Sequence, residues 1–328
     1  MVDDGRRRAG TVLLGMCVWA VVGVTTAGVQ PIDPQERPVG DAGACPATLL
    51  EDPRAGGGLT VLQGNFWMLP TRPLLVPYAF STDRMQRLER LIETVARCRP
   101  MVVVLQEVFD WSVLRALAES LPEYRVVTSG RTGFMGHLNV SGLLTLSRVP
   151  VGDTRFHGFG RLPDEASTVE KLGGKGFLVS EIDAPGFRGN LVNLHLYASR
   201  DALEATVTRK QLAEVLAFVR REERLGRPTL LVGDFNLSRS EMEGLLPTAW
   251  TLSSHGPTYD RLTNPYTAEG ANGGLPWKQA PSHTDAVRAI DFLVASGMTP
   301  VRIRSRVLNQ LPLSDHHFLQ HVVEGPGA

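Results

Sequence analysis

The sequence has no excess of charge of either sign. Lys plus Arg and Asp plus Glu number 34 each among 328 residues, so the formal net charge is zero. Proteins that bind nucleic acid draw much of their affinity from cationic contacts to phosphates, and this balance argues against that class. Hydrophobic residues make up 43% and charged residues 21% of the chain, as in globular proteins and unlike disordered ones.

The sequence also lacks any long apolar run beyond one near the N-terminus. Arg6–Arg8 precede "TVLLGMCVWAVVGV", and Thr25–Ala27 follow as a small-residue cleavage site. The run is as long as the apolar region of an export signal and short for a membrane span. We therefore predict that residues 1–27 are a signal peptide and that the protein is secreted. A lipoprotein anchor at Cys17 is the weaker alternative, because Met precedes this Cys where a small residue is usual.

Cysteine is scarce, with three in the chain. Outside the predicted signal, Cys45 and Cys98 form an even pair in a compartment that permits disulfides. A bridge between them would tie a Pro- and Gly-rich extension, residues 28–58, to the single domain predicted for residues 59–328. Two unpaired structural thiols are the alternative.

The rest of the chain alternates strand-like apolar runs with amphipathic stretches and long loops. The predicted strands are "LTVLQGNFW", "MVVVLQEV", "SGLLTLSR", "GFLVSEID", "GNLVNLHLY", "PTLLVGDFN", "AIDFLVAS" and "FLQHVVEG". Residues 81–98 and 201–223 are predicted helices, the first capped by Ser81 and burying a face that starts at Met85. Many strands and few helices predict two packed sheets with helices outside.

Six predicted strand ends carry polar residues that strand propensity does not favour. These are Asn65, Glu107, His195, the Asp234–Asn236 segment, Asp291 and the Asp315–His316 pair. Taken singly, such a carboxylate is a turn or cap residue and such a histidine is structural. The repetition outweighs that interpretation, because side chains at the ends of packed strands can converge on one rim.

The residue types at this rim suit metal-assisted attack of water on a phosphodiester. Glu107 and Asn65 offer hard oxygen ligands, which suit Mg²⁺ and not Zn²⁺. His195 and His316 would supply a phosphate-contacting group and a general base, since imidazole titrates near neutral pH.

The aspartates at the rim have supporting roles in this interpretation. Either Asp291 or Asp315 would fix the tautomer of His316. Asp234 and Asn236 are one residue apart, so both can face the rim, one orienting water and the other donating to phosphate. The sequence has no Walker-type Gly-rich loop and no Gly-x-Ser-x-Gly elbow that would indicate a competing chemistry.

Five short motifs occur in the order typical of the endonuclease/exonuclease/phosphatase (DNase I-like) superfamily. They are "LQEV", "NLHL", "GDFN", "IDFLV" and "SDHH", spread over residues 59–323. Within that superfamily the chain most resembles the secreted neutral sphingomyelinases of bacteria. "GGKGFLVSEI" is similar to that family's Lys-Gly-Phe strand, and "VVVLQEVFD" and "TYDRLTNPYTA" are similar to two further segments.

The resemblance implies a DNase I-like α/β (α+β) fold, a four-layer sandwich of two mainly antiparallel sheets flanked by helices. It also implies hydrolysis of sphingomyelin to ceramide and phosphocholine. Glu107 would be the principal Mg²⁺ ligand with Asn65 beside it, and Mn²⁺, Co²⁺ or a second divalent ion would also be compatible. His316 would be the general base and His195 would stabilise the transition state. Lys175 would contact the lipid phosphate, with a solvated lysine as the alternative.

The same resemblance implies a membrane surface as the partner, carrying sphingomyelin or another choline phospholipid, and no nucleic acid; we expect a monomer. The apolar segment Asn65–Phe80 would be either a lipid-facing loop or a segment that packs on the core or closes over the rim. In "LSDHHFLQH", His317 is expected to face away from His316, and His321 to be an ordinary strand residue.

An extracellular nuclease on the same fold and a non-catalytic membrane-binding module are the alternative functions.

Overall fold

The computed structural model describes residues 57–68, 83–130, 141–160, 174–199, 202–260, 287–297, 301–309, 311 and 313–325. All of them lie in the unit Val39–Ala328. The predicted signal peptide and almost all of the predicted extension lie outside the described residues, as does Cys45. Cys98 is disulfide-bonded. Among the described residues, no helix is long and apolar enough to span a membrane.

The described chain forms fourteen strands and four helices. The strands are β1 (Leu59–Met68), β2 (Val102–Val108), β3 (Arg125–Thr128), β4 (Leu144–Ser147), β5 (Val151–Gly158), β6 (Gly176–Ala184), β7 (Phe187–His195), β8 (Thr229–Asp234), β9 (Thr251–Leu252), β10 (Tyr259–Asp260), β11 (Val287–Arg288), β12 (Asp291–Ala295), β13 (Arg302–Leu308) and β14 (Phe318–Glu324). The helices are α1 (Arg84–Cys98), α2 (Trp111–Ser120), α3 (Ala202–Arg224) and α4 (Arg239–Leu245).

Twelve of these strands form two six-stranded sheets. The first has the order β13-β14-β1-β2-β4-β3 and the second β5-β6-β7-β8-β12-β9, while β10 and β11 pair separately. Each large sheet contains one parallel pair, β1/β2 and β7/β8 respectively, and its other pairs are antiparallel. The prediction of two mainly antiparallel sheets is therefore confirmed.

Alternation along the strands builds three apolar layers. In β1 and β2, Val61 and Val102 face the second sheet and pack on residues such as Leu230, forming the core between the sheets. Leu62 and Val103 face the other way and pack against α1 and α2. On the far side of the second sheet, strand residues such as Val192 pack against α3. The order helix, sheet, sheet, helix confirms the predicted four-layer sandwich.

All eight predicted strands are present, but the predicted helix boundaries need correction. The first helix begins at Arg84, not at residue 81, and Ser81 lies outside the described residues. Met85, predicted to be buried, is 52% exposed, because burial along this helix begins two residues further on, at Arg87 and Leu88. The second predicted helix is α3. Two short helices were not predicted, α2 with Asp110 as N-cap and α4 with a capping box.

The segment Asn65–Phe80 does not begin as a loop. Its first four residues are the end of β1, where Phe66, Trp67 and Met68 are all buried. The packing alternative is confirmed for these residues, and the remainder of the segment, from residue 69, lies outside the described residues.

A row of buried hydrogen bonds joins the two sheets and corrects the prediction for His321. This histidine is completely buried, and its Nε2 lies 3.0 Å from Gln63 Oε1. Gln63 Nε2 donates to the carbonyl oxygen of Gly233 at 2.8 Å, so Gln63 Oε1 is the acceptor for His321. His321 Nδ1 then accepts from Ser305 Oγ, 2.7 Å away. The chain of hydrogen bonds, here called the His321 relay, connects β13, β14 and β1 to β8.

Candidate active site

The predicted rim forms where the carboxyl ends of the two parallel pairs meet. In the first sheet, Asn65 and Glu107 lie near the ends of β1 and β2. In the second, His195 and Asp234 end β7 and β8 and are direct partners across the pair. Asp291 begins the antiparallel strand β12 and is also paired with Asp234. Parallel strands end on the same edge of a sheet, so this topology delivers the side chains to one place.

Three non-glycine residues at this rim have left-handed backbone conformations. Trp67, Glu107 and Asn236 have φ values of 48°, 57° and 50°. Such a conformation costs on the order of 1 kcal/mol or more and persists where surrounding contacts enforce it. The strain occurs where β1, β2 and β8 leave their sheets. At Glu107 and Asn236 the left-handed backbone gives the side chain a direction that it would not have if the strand continued.

The Asn65 amide links carboxylates from the two sheets. Its Nδ2 donates to Glu107 Oε1 at 2.9 Å and to Asp234 Oδ2 at 3.2 Å. Its Oδ1 accepts from the backbone N–H of Trp67 at 3.1 Å. One amide therefore holds together an acid from β2 and an acid from β8.

His316 is held by Asp291. Its Nδ1 lies 2.9 Å from Asp291 Oδ2 and 3.9 Å from Asp234 Oδ2, and all three side chains are buried. Asp315 instead accepts from the Ser314 hydroxyl at 2.9 Å. Of the two aspartates that the sequence left open as partners of His316, the hydrogen bond belongs to Asp291.

His195 also lies close to Asp234. Its Nε2 lies 3.7 Å from Asp234 Oδ2, 4.0 Å from Glu107 Oε1 and 3.3 Å from the Nζ of Lys175. Lys175 also donates to the Leu196 carbonyl oxygen at 2.9 Å. Lys175 is therefore a half-buried member of the cluster and not a solvated surface lysine.

Asn236 completes this side of the rim. Its backbone N–H donates to Asp234 Oδ1 at 2.9 Å, and its Nδ2 donates to the Leu196 carbonyl oxygen at 3.0 Å. The left-handed turn at Asn236 thus folds the chain back onto the strand end that carries Asp234.

The two central carboxyl groups are crowded and poorly solvated. Burial, reinforced by the charge of Asp315, raises the pKa of Glu107 to about 7. Burial, reinforced by the charge of Asp291, raises the pKa of Asp234 to about 6. Each shift measures how strongly the surroundings resist one more negative charge, and a bound cation would relieve that resistance.

The two histidines at the rim are shifted in opposite directions. Burial by itself would lower the pKa of His316, but Asp291, Asp234 and Asp315 more than offset it and raise the pKa to about 10. Burial lowers the pKa of His195 well below its usual range, and the positive charges of Lys175 and His316 lower it further. One ring is therefore held charged and the other neutral.

The donor set fits a divalent cation in two neighbouring positions. One is the oxygen pair predicted from the sequence, Glu107 with Asn65. The other consists of Asp234, Asp291 and His316, whose ligand atoms lie within 4.8 Å of one another. Asp291 Oδ1 is buried without a hydrogen-bond partner, as expected for an oxygen that a cation could use. Oxygen-rich sites of this kind suit Mg²⁺.

One aromatic residue at the rim received no role from the sequence. The Tyr259 ring lies 5.2 Å from the His316 ring, edge to face. The only signal for it was the position of Tyr259 in the segment "TYDRLTNPYTA". His317, by contrast, makes a backbone bond, its N–H donating to the Thr258 carbonyl oxygen at 2.7 Å.

Two mixed sheets back to back, with acids, amides and histidines at the ends of their parallel strands, define a phosphoesterase fold. The model of the Endonuclease/Exonuclease/phosphatase family matches residues 65–316. The chain belongs to this family. No curated protein matches the sequence.

Several solved structures share the fold at low sequence identity. SmcL is 19% identical with a TM-score of 0.61, and the match covers 82% of this chain and 99% of SmcL. Sphingomyelinase C from Streptomyces griseocarneus is 19% identical with a TM-score of 0.59, covering 81% and 99%. A variant beta toxin from Staphylococcus aureus with bound magnesium ions is 16% identical with a TM-score of 0.60, covering 80% and 99%.

Proposed function

We propose that the protein is a secreted, Mg²⁺-dependent phosphodiesterase that hydrolyses sphingomyelin to ceramide and phosphocholine. The observation that carries the proposal is the Asp291–His316 pair facing the Asn65–Glu107–Asp234 cluster. The substrate is supported by the likeness in fold to a sphingomyelinase C and by the Lys-Gly-Phe sequence that begins at Lys175.

Glu107 and Asn65 are the residues that would hold the cation. Asn65 now directs Nδ2 at the two carboxylates, and rotation of the amide would present Oδ1 instead. We favour this position over the Asp234–Asp291–His316 set for a first ion, because His316 Nδ1 is already hydrogen-bonded to Asp291. When bound, a divalent ion supplies positive charge that polarises a phosphate oxygen and offsets the surrounding carboxylates.

His316 is the group that would take a proton from the attacking water. Asp291 binds Nδ1, which leaves Nε2 as the free nitrogen for that water. The surrounding carboxylates retain the His316 proton at neutral pH, so base function requires that their charge be partly neutralised. This couples the base to occupation of the cation site.

His195 and Lys175 would stabilise charge on the phosphate. An ammonium group only donates, so His195 Nε2 accepts from Lys175 in this arrangement and Nδ1 carries the ring proton. A phosphate oxygen between the two side chains would receive the lysine N–H groups. Asp234 would orient water, and the Asn236 amide would donate to phosphate.

An assay on three substrates tests the proposal. The purified mature protein is given sphingomyelin vesicles, phosphatidylcholine vesicles and plasmid DNA, each with Mg²⁺ and with EDTA. We expect phosphocholine release from sphingomyelin that requires Mg²⁺. His316→Ala should lower kcat by about 10²- to 10⁴-fold, the usual contribution of a general base. His317→Ala is the matched control, because His317 lies next in sequence and has no described bond to Asp291.

The alternatives give different results in the same assay. Plasmid nicking without lipid cleavage would favour the nuclease and overturn the sphingomyelinase proposal. Vesicle binding with no hydrolysis of any substrate would favour a non-catalytic membrane-binding module. Export through residues 1–27 is tested by N-terminal sequencing of protein from the culture medium, where a mature N-terminus near residue 28 is expected.

A further inference from the structure

Arg87 is the largest completely buried side chain of the described residues, with 0% exposure. It lies on α1, outside the rim, and has no part in the chemistry proposed above. A guanidinium is always charged, and its burial costs several kcal/mol unless hydrogen bonds satisfy its N–H groups. Its presence in an apolar layer between α1 and the first sheet therefore requires explanation.

The guanidinium donates to three backbone carbonyl oxygens. One Nη donates to Phe66 O at 2.8 Å and to Leu313 O at 3.1 Å, and the other donates to Trp67 O at 3.1 Å. The guanidinium carbon also lies 5.9 Å from the Phe66 ring centroid and 5.2 Å from that of Trp67.

These three carbonyls belong to the two segments that carry rim residues. Phe66 and Trp67 directly follow Asn65, and the Trp67 N–H binds Asn65 Oδ1. Leu313 begins the turn that leads to Asp315 and His316. The segments are far apart in sequence, because Trp67 lies 20 positions before Arg87 and Leu313 lies 226 positions after it. One rigid fork of donors therefore sets the spacing between them.

The guanidinium of Arg87 stabilises an unfavourable backbone conformation at Trp67. Its left-handed φ of 48° is unfavourable for a bulky side chain and needs outside contacts to persist. Arg87 binds the carbonyl groups immediately before and at this residue, and its guanidinium lies against the indole. A lysine in its place would offer a point charge without the planar fork and would not match three carbonyls.

We propose that Arg87 is a positioning residue that holds Asn65 and the Asp315–His316 turn at the separation needed for cation binding and hydrolysis. The inference rests on the proposed function, because it assigns Arg87 to the same cation site and base. It predicts that the loss of Arg87 acts on Mg²⁺ affinity and turnover, and not only on folding.

The test compares Arg87→Met with Arg90→Met. Arg90 lies one turn further along the same helix and is exposed, so it controls for loss of a charge and of helix propensity. Mg²⁺ binding is measured by calorimetry, and hydrolysis of bis(p-nitrophenyl) phosphate is measured well below the melting temperature of each variant. We expect Arg87→Met to weaken Mg²⁺ binding at least 10-fold and to lower kcat about 100-fold at similar KM. Arg90→Met should stay within twofold of the unaltered protein.

Arg87→Lys keeps the charge and guards against a variant that does not fold. We expect it to fold and to show the same two losses, because it cannot bond all three carbonyls. If either variant folds and retains Mg²⁺ affinity and kcat within twofold of Arg90→Met, Arg87 is only structural and the inference is wrong. If neither folds, Arg87 is again structural. If the unaltered protein neither binds Mg²⁺ nor hydrolyses phosphodiesters, the proposed function itself has failed.

Discussion

The region around His316 and the region around His321 surround a buried imidazole in opposite ways. Both rings are almost completely removed from solvent, and the two histidines are five positions apart in the sequence, His321 within β14 and His316 just before it. Carboxylates surround His316 and raise its pKa to about 10, whereas His321 has only neutral hydrogen-bond partners. Burial, with a smaller effect from His255, lowers the pKa of His321 to about 3.

The difference teaches that burial alone does not determine the charge of a histidine. It disfavours the charged form in both regions, and only the rim supplies the negative charge that reverses the outcome. The His321 relay supplies one donor and one acceptor, which is the pattern that a neutral imidazole completes. The hydrogen bonds of the His321 relay stabilise the fold, whereas the rim holds a protonated histidine within the candidate active site.

Asp291→Asn should have the largest effect on kcat. It replaces the charged partner of His316 by a neutral one, so that His316, like His321, has a neutral hydrogen-bond partner. The pKa of His316 should fall, since the charge that binds Nδ1 is lost, and this is measured by NMR titration. The amide also no longer enforces the correct tautomer, so kcat should fall by about 10²- to 10³-fold. Asp183→Asn, at an exposed position on β6, is the control. An unchanged kcat in Asp291→Asn would deny that Asp291 orients the base.

Glu107→Gln should weaken Mg²⁺ binding by about 100-fold, because it removes the charged oxygen that the proposed function assigns to the cation. It should also stabilise the cation-free protein at pH 8. The Glu107 carboxyl has a pKa of about 7 in the folded protein, above its ordinary value of 4.5, so the loss of stability from ionising it accumulates between these two pH values and is complete above about pH 7. Allowing for its partial exposure, the gain should be about 1–2 kcal/mol.

Urea unfolding in EDTA measures this gain, and calorimetry measures Mg²⁺ binding. Glu89→Gln, at an exposed position on α1, should change neither quantity. If the Glu107→Gln variant binds Mg²⁺ normally, the ion is bound at the Asp234–Asp291–His316 position and not at Glu107.

His321 should make the smallest contribution, and only in acid. The unfolded protein binds a proton at this ring below its ordinary pKa of 6.5, while the folded protein does not until about 3. Stability from this group is therefore complete above pH 6.5 and falls as the pH is lowered, by about 2 kcal/mol at pH 5. In His321→Gln this part of the loss between pH 7 and pH 5 should disappear from urea unfolding curves. An unchanged pH dependence in His321→Gln would show that the ring is not held neutral.

The sequence predicted the sheets and the rim because both depend on local patterns. Runs of β-branched residues mark buried strands, and polar residues at their ends mark an edge where strands finish. The choice between Asp291 and Asp315 was beyond such reasoning. It depends on how β12 registers with β8, and no local pattern near either aspartate records that register.

The buried polar groups were missed for the same reason. In "RMQRLER" the three arginines have equivalent spacing on a predicted helix, and only docking of α1 on the first sheet makes the middle one, Arg87, buried. His321 lies in a sequence typical of an ordinary strand, and its hydrogen-bond partner Gln63 is 258 positions away. Contacts over such distances leave no signature in a single sequence.

The place of β14 in the first sheet has a consequence for the order of synthesis. This strand lies between β13 and β1, with Val323 opposite Leu59, so the most N-terminal of the described strands cannot complete its pairing until the most C-terminal of them has been made. The same late segment delivers His316 to a rim whose other residues are made earlier. A growing chain therefore lacks the complete candidate site until the segment that carries His316 has been synthesised and β14 has joined the first sheet.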